Sequence, residues 1–100
     1  MTRALLVKDG DNVATSLDRL GCGERVNLRE GSDALEVQLA EDIAFGHKFA
    51  VRAIAAGEPI VKYAETIGLA TRAIAPGEWV HVHNVESVRA RGDRAPGGSR

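Results

Sequence analysis

His81 and His83 stand two residues apart in Trp79-Val80-His81-Val82-His83, a run of β-branched and aromatic residues, with Asn84 directly after it. Such a run predicts a strand, and side chains two apart on a strand leave the same face. Two imidazoles on one face can share a metal ion or an anionic ligand, and the Asn84 amide adds both a donor and an acceptor. His47 and Lys48 follow Gly46, so all 3 histidines of the chain fall between Gly46 and Ser87. If the hairpins of this region pack side by side, His47 approaches the His81/His83 face. The same spacing also fits a solvent-facing strand edge that does no chemistry.

These residues lie in an imperfect internal duplication. Shifted by 20 positions, Ala50, Arg52, Ala53, Ile54, Ala55, Gly57 and Glu58 fall on Ala70, Arg72, Ala73, Ile74, Ala75, Gly77 and Glu78. Two copies are too few for a solenoid, so the element predicts a pair of similar hairpins. Pro76-Gly77 suits the centre of a type II turn, since proline pre-sets φ and glycine accepts φ > 0; Ala56-Gly57 occupies the same place. After each turn comes a strand-like run, Pro59 to Tyr63 and Trp79 to His83. Lys62 and Tyr63 stand where the second copy has Val82 and His83, an asymmetry that makes them candidate ligand-binding residues. Arg52 and Arg72 can hold carboxylates bidentately. As repeated strand residues they are expected to be solvated or paired with Glu58 and Glu78.

Upstream, Ala4 to Val7 predicts a first strand ending in the turn Lys8-Asp9-Gly10. Asp11 or Asn12 then caps a predicted helix whose apolar residues Val13, Leu17 and Leu20 recur at i, i+4 and i+7, with Gly21 closing it. Glu24 to Leu28 and Ala34 to Leu39 predict two strands around a polar loop, with Val37 and Leu39 alternating with Gln38. The fold class is therefore mainly β with one short helix, a single domain over residues 1–88. Residues 89–100 hold four arginines, three glycines and no large apolar residue, which predicts a disordered tail.

A chain of 100 residues supports one modest core. Its formal net charge of −1 gives no electrostatic footprint for nucleic acid or an anionic membrane, and 4% aromatic residues make no platform for stacking bases. The apolar runs are too short to span a membrane and the first residues lack a signal-peptide core, so a cytoplasmic location is expected. A single cysteine, Cys22, excludes an intramolecular disulfide and is expected to be a small loop residue. There is no phosphate loop, dinucleotide fingerprint, nucleophile elbow or HExxH in the sequence. Three histidines and a lysine on so small a chain do not readily enclose a whole substrate pocket. A catalytic role is expected to complete a site on another chain.

Gly46-His47-Lys48-Phe49-Ala50, Ile60-Val61-Lys62-Tyr63, Ile67-Gly68, Ile74-Ala75-Pro76-Gly77-Glu78 and His81-Val82-His83-Asn84, with Asp11-Asn12-Val13-Ala14 near the start, resemble the altronate and galactarate dehydratase family. The resemblance runs over roughly residues 4–87 and implies a SAF domain of β-clip fold. Members eliminate water from sugar acids with a divalent metal, usually iron(II), and a related branch removes sulfite from sulfolactate. Such an elimination needs a base, a Lewis acid or proton donor, and a carboxylate clamp. By resemblance His47, Lys48, His83 and Asn84 are candidate catalytic residues, Lys62 and Tyr63 candidate substrate-binding residues, and His81 and His83 candidate metal ligands. The family's larger catalytic segment has no counterpart in these residues. The resemblance thus implies a small subunit, inactive alone, that pairs with a separate large subunit holding most of the metal site. The alternative is a SAF-type module that binds a carbohydrate or acidic ligand without chemistry.

Overall fold

The structure, a computed structural model, describes residues 3–6, 8, 10–29 and 35–87. Among the described residues nine short strands form: β1 (Ala4–Leu5), β2 (Val13–Ser16), β3 (Arg25–Arg29), β4 (Leu35–Gln38), β5 (Lys48–Ala50), β6 (Pro59–Lys62), β7 (Glu65–Ala70), β8 (Trp79–Val80) and β9 (Val85–Ser87). They form three antiparallel sheets, one of four strands in the order β1-β2-β5-β8, one of two (β3-β4) and one of three (β6-β7-β9).

No helix is present among the described residues, and the helix expected from Asp11 to Gly21 is strand β2 and a loop. Val13 and Thr15 are β-branched and favour an extended backbone, while Leu17, needed on the helix's apolar stripe, is 43% exposed. The two capping candidates serve a distant segment instead. Asp11 Oδ2 accepts from Tyr63 N at 2.9 Å and Oδ1 from Ala64 N at 2.8 Å. Asn12 donates from Nδ2 to Pro59 O and accepts at Oδ1 from Val61 N, both at 2.8 Å. Helix-capping residues offer the same acceptors to any free N–H, so local sequence does not tell the two uses apart.

The remaining expected strands largely appear. β3 and β4 pair as a hairpin, with Val37 and Leu39 buried around an exposed Gln38. β1 starts the first sheet, and Val7 and Asp9 lie outside the described residues. The expected tail, residues 89–100, also lies outside them. The second copy's strand is shorter than expected. It stops at Val80, and His81 to Asn84 is a turn closed by Asn84 N donating to His81 O at 3.1 Å.

The duplicated element is in fact used four times. Leu20-Gly21-Cys22-Gly23-Glu24, Ile43-Ala44-Phe45-Gly46-His47, Ile54-Ala55-Ala56-Gly57-Glu58 and Ile74-Ala75-Pro76-Gly77-Glu78 each set a buried aliphatic residue before a turn. In every copy the last residue's N–H returns to the carbonyl three residues back, at 2.9 to 3.1 Å, and the turn glycine has a φ between +82° and +88°. The leading residues pair across copies, Leu20 with Ile43 and Ile54 with Ile74. Each pair places two aliphatic side chains in one of two core clusters, the first around Leu20, Ile43 and Phe49, the second around Ile54, Ile60 and Ile74.

Three of the four turns end in glutamate, whose carboxylate closes its own turn. Glu24 Oε1 accepts from Gly21 N at 2.5 Å, Glu58 Oε1 from Ala55 N at 2.9 Å and Glu78 Oε1 from Ala75 N at 2.7 Å. The backbone bond from Gly21, helped by the Arg3 guanidinium, holds Glu24 below the ordinary carboxylate value; Ala55 N–H and Arg52 do the same for Glu58. Arg52 reaches Glu58 at 2.9 Å, the ion pair expected in the first hairpin. The other turn ends in His47.

Candidate functional site

His47 is free of turn closure because another residue holds its turn. Ser16, fully buried on β2, places Oγ 2.5 Å from Ala44 O and 3.1 Å from His47 O, and its N–H donates to His47 O at 2.8 Å. The imidazole turns toward β8, where Trp79 Nε1 donates to His47 Nδ1 at 3.0 Å. Indole N–H donates only, so Nδ1 carries the lone pair and the neutral ring carries its proton on Nε2.

Trp79 is the centre of the site. Its ring stacks on His81 with centroids 5.0 Å apart and planes 11° from parallel, and His83 lies 4.9 Å away, tilted by 36°. The His47 and His81 rings are 5.3 Å apart. The sequence predicted that the histidine pair shares a strand face. What gathers the pair is the turn after β8, which wraps both rings back onto the indole. Asn84 builds that turn: it is buried, donates from Nδ2 to Trp79 O at 2.8 Å and accepts at Oδ1 from His81 N at 2.9 Å. Both ends of its amide are therefore committed to backbone. Glu41 fixes the other side of β8, its Oε2 accepting from Trp79 N at 3.0 Å.

Lys48 leaves β5 opposite Val80 in the ladder and, with His81, edges an apolar cavity of about 250 Å³ whose walls include Ile60, Val80 and Val85. Burial, reinforced by the charge of Lys62, holds the Lys48 ammonium below the ordinary lysine value. Lys62 ends β6 and places Nζ 4.8 Å from the centroid of the Tyr63 ring. Tyr63 and Ala64 form the two-residue turn to β7, and both have positive φ, +56° and +63°. A turn of this kind is normally given to glycine or asparagine. Here the Asp11 carboxylate binds both N–H groups. Burial alone would raise Asp11, but the backbone bonds from Ala64, Tyr63 and Lys8, with the Lys8 charge, outweigh it and hold the group below the ordinary aspartate value.

The fold thus unites His47, His81 and His83, sets Lys48 beside His81 and couples Lys62 to Lys48, while Tyr63 packs with Lys62. Trp79 was missed as a site residue. Its single occurrence, two residues before His81, is the sequence signal that could have found it. No group of three or more histidine, cysteine, aspartate or glutamate side chains converges as a metal site among the described residues.

The altronate/galactarate dehydratase SAF domain matches residues 2–88. The chain belongs to this family. Altronate dehydratase of Escherichia coli is 43% identical to the SAF domain over 77 residues, covering 77% of the chain and 15% of that enzyme. Galactarate dehydratase (L-threo-forming) of the same organism is 38% identical over 74 residues, 74% of the chain and 13% of that enzyme. The alpha subunit of (2R)-sulfolactate sulfo-lyase from Chromohalobacter salexigens is 42% identical over 55 residues, 55% of the chain and 58% of that subunit. The SAF domain therefore spans a small part of the dehydratases it matches and over half of the sulfo-lyase subunit. Its described residues contain no helix long and apolar enough to cross a membrane.

Proposed function

We propose that this chain is the small subunit of a sugar-acid dehydratase, a hydro-lyase of the altronate/galactarate type, and completes the active site of a separate large subunit. The observation that carries this reading is the cluster of His47, His81 and His83 around Trp79, at least one of whose rings, His83, is exposed. Phe45, 71% exposed, and Val82, 80% exposed, sit in the two turns that carry the histidines. The cavity that Lys48 and His81 edge is lined mostly by apolar side chains, which suits a site that a second surface completes for a polar, multiply hydroxylated substrate.

In this reading His47 and His83 face the substrate, Lys48 and Lys62 supply positive charge for its carboxylate, and Tyr63 contributes a hydroxyl at the rim. Asn84 acts through the turn it builds. The divalent metal implied by the family, iron(II), would be held mainly by the large subunit, with His81 and His83 the ligands this chain would contribute. The sulfo-lyase relative is by name one subunit of a larger enzyme, which supports a separate partner and sets sulfonated hydroxy acids beside sugar acids as a substrate class.

The test is a lyase assay on altronate, galactarate and sulfolactate with iron(II) or manganese(II), using this chain, the large subunit and the two mixed. Turnover only in the mixture is expected. A large subunit equally active without this chain would reduce the chain to the alternative, a non-catalytic module that binds an acidic ligand.

A further inference from the structure

We infer that Trp79 is a positioning residue that fixes His47 as a hydrogen-bond donor toward the site, through Nε2–H, and denies it the role of base. The role toward substrate rests on the preceding reading; the proton's place on the ring does not.

The argument begins with the repeat. Three copies of the turn end in a glutamate that closes its own turn, and the fourth replaces it with histidine while the buried Ser16 holds that turn. An imidazole at this position is not needed to make the turn. It is instead bound by one specific partner, the indole N–H at 3.0 Å from Nδ1. Because indole nitrogen cannot accept, this bond admits one neutral tautomer, with the proton on Nε2. The bond is fixed at its far end as well. Trp79 N–H is held by Glu41, its carbonyl by Asn84, and its ring by the stacked His81. The two backbone bonds fix the strand from which the indole projects, and turning the ring away breaks its stack on His81 and its contact with His83.

The consequence is a polarity. Nδ1, the atom with the lone pair, is engaged, and Nε2 offers a proton. His47 so held donates a hydrogen bond to a carboxylate or hydroxyl oxygen, and taking a proton from carbon would require it first to release Trp79. In an elimination that needs both a base and a donor, His47 falls on the donor side, and the base comes from elsewhere.

The wild-type chain alone decides the tautomer. In a long-range proton–nitrogen spectrum of 15N-histidine-labelled protein near neutral pH, His47, assigned by its loss in His47→Gln, should show an unprotonated Nδ1 and a protonated Nε2. In Trp79→Phe that pattern should give way to averaged shifts of two exchanging tautomers. A protonated Nδ1 in the wild type, or an unchanged His47 pattern in Trp79→Phe, overturns the inference, and the wild-type spectrum stands even if the variant fails to fold. In the assembled enzyme, glutamine can accept from Trp79 and still donate outward. His47→Gln should therefore lose about tenfold in turnover, while His47→Ala loses the 10²-fold or more associated with a positioned proton-transfer or hydrogen-bonding group. Equal inactivity of both variants beside an active wild-type mixture overturns the donor role. If the wild-type mixture itself does not turn over, the subunit reading fails, and the spectrum still decides whether Trp79 fixes the ring.

Discussion

Asp11 is buried beneath the Tyr63–Ala64 turn, and it shows how one side chain can decide a conformation 52 residues away. Two consecutive non-glycine residues at positive φ are costly. The carboxylate offsets that cost by accepting both of their N–H groups and a third from Lys8 at 3.2 Å. Replacing Asp11 by alanine leaves these donors without their acceptor and should destabilise the domain by about 2 kcal/mol. It should also release Lys62 and Tyr63 from fixed positions, raising KM in the assembled enzyme more than it lowers kcat. A carboxyl held below its unfolded value stabilises the fold above that value and loses the contribution as pH falls through the folded one. The melting temperature should therefore decline below about pH 3.8, the ordinary value for this group, and Asp11→Asn should flatten that decline. An equally steep decline in Asp11→Asn would show that other carboxylates govern it. Asp11 and Asn12 were legible as capping residues. Which backbone they cap was not, because the donors belong to residues 61 to 64 and only tertiary pairing brings them near. His47, Lys48 and the two later histidines were legible as a group from residue type and order. The reason they meet, an indole that binds or stacks on three imidazoles, was hidden because strand periodicity assigns Trp79, His81 and His83 to one face without predicting the turn that folds the last two back.

At the scale of the element, the four-fold use of one turn was only half visible. Two copies share arginine, alanine, isoleucine, glycine and glutamate at a fixed offset, whereas Leu20 to Glu24 keeps an aliphatic residue, a small residue, the turn glycine and the glutamate, and Ile43 to His47 lacks the glutamate as well as the arginine. Their spacing also departs from the 20-residue offset, so a search at one period passes them by. The physical requirement is nevertheless the same in each copy: an aliphatic anchor for the core, then a turn whose glycine takes positive φ. Gly77 adds a second requirement. A Cβ there would lie 2.2 Å from Gln38 O and 2.8 Å from Ala40 N, against backbone that cannot give way cheaply. Gly77→Ala should therefore cost roughly 2 kcal/mol or more, from strain and overlap together. Gly57→Ala, where the same φ has open space around it, should cost about 1 kcal/mol. Chemical denaturation of the two variants checks this order. Equal losses would mean that φ alone, and not the approach to residues 38–40, makes Gly77 necessary.

For the whole molecule, the two core clusters and three sheets bury the aliphatic anchors but leave Phe45 and Val82 outside, one on each loop that carries the histidines. A single exposed apolar side chain is ordinary, but the two most exposed large ones both sit in the turns that carry the histidines, where the proposed partner would meet them. The matched dehydratases are far longer than this domain, which corresponds to 15% of altronate dehydratase from Escherichia coli. If the large subunit closes over the histidine face, these two side chains enter its surface on assembly. Exposed as they are, their replacement by serine should change the stability of the isolated domain by no more than about 0.5 kcal/mol. The same double variant should weaken association by at least tenfold, since full burial of a side chain of this size contributes about 1.5–3 kcal/mol. Turnover should return when the large subunit is raised to saturation, because the histidines remain in place. His83→Ala should behave in the opposite way, associating normally and remaining inactive at saturation. Titration calorimetry with parallel rate measurements separates the two. Association of the serine variant as tight as that of the wild type would put the partner on another face and leave the histidine cluster open to solvent in the assembled enzyme.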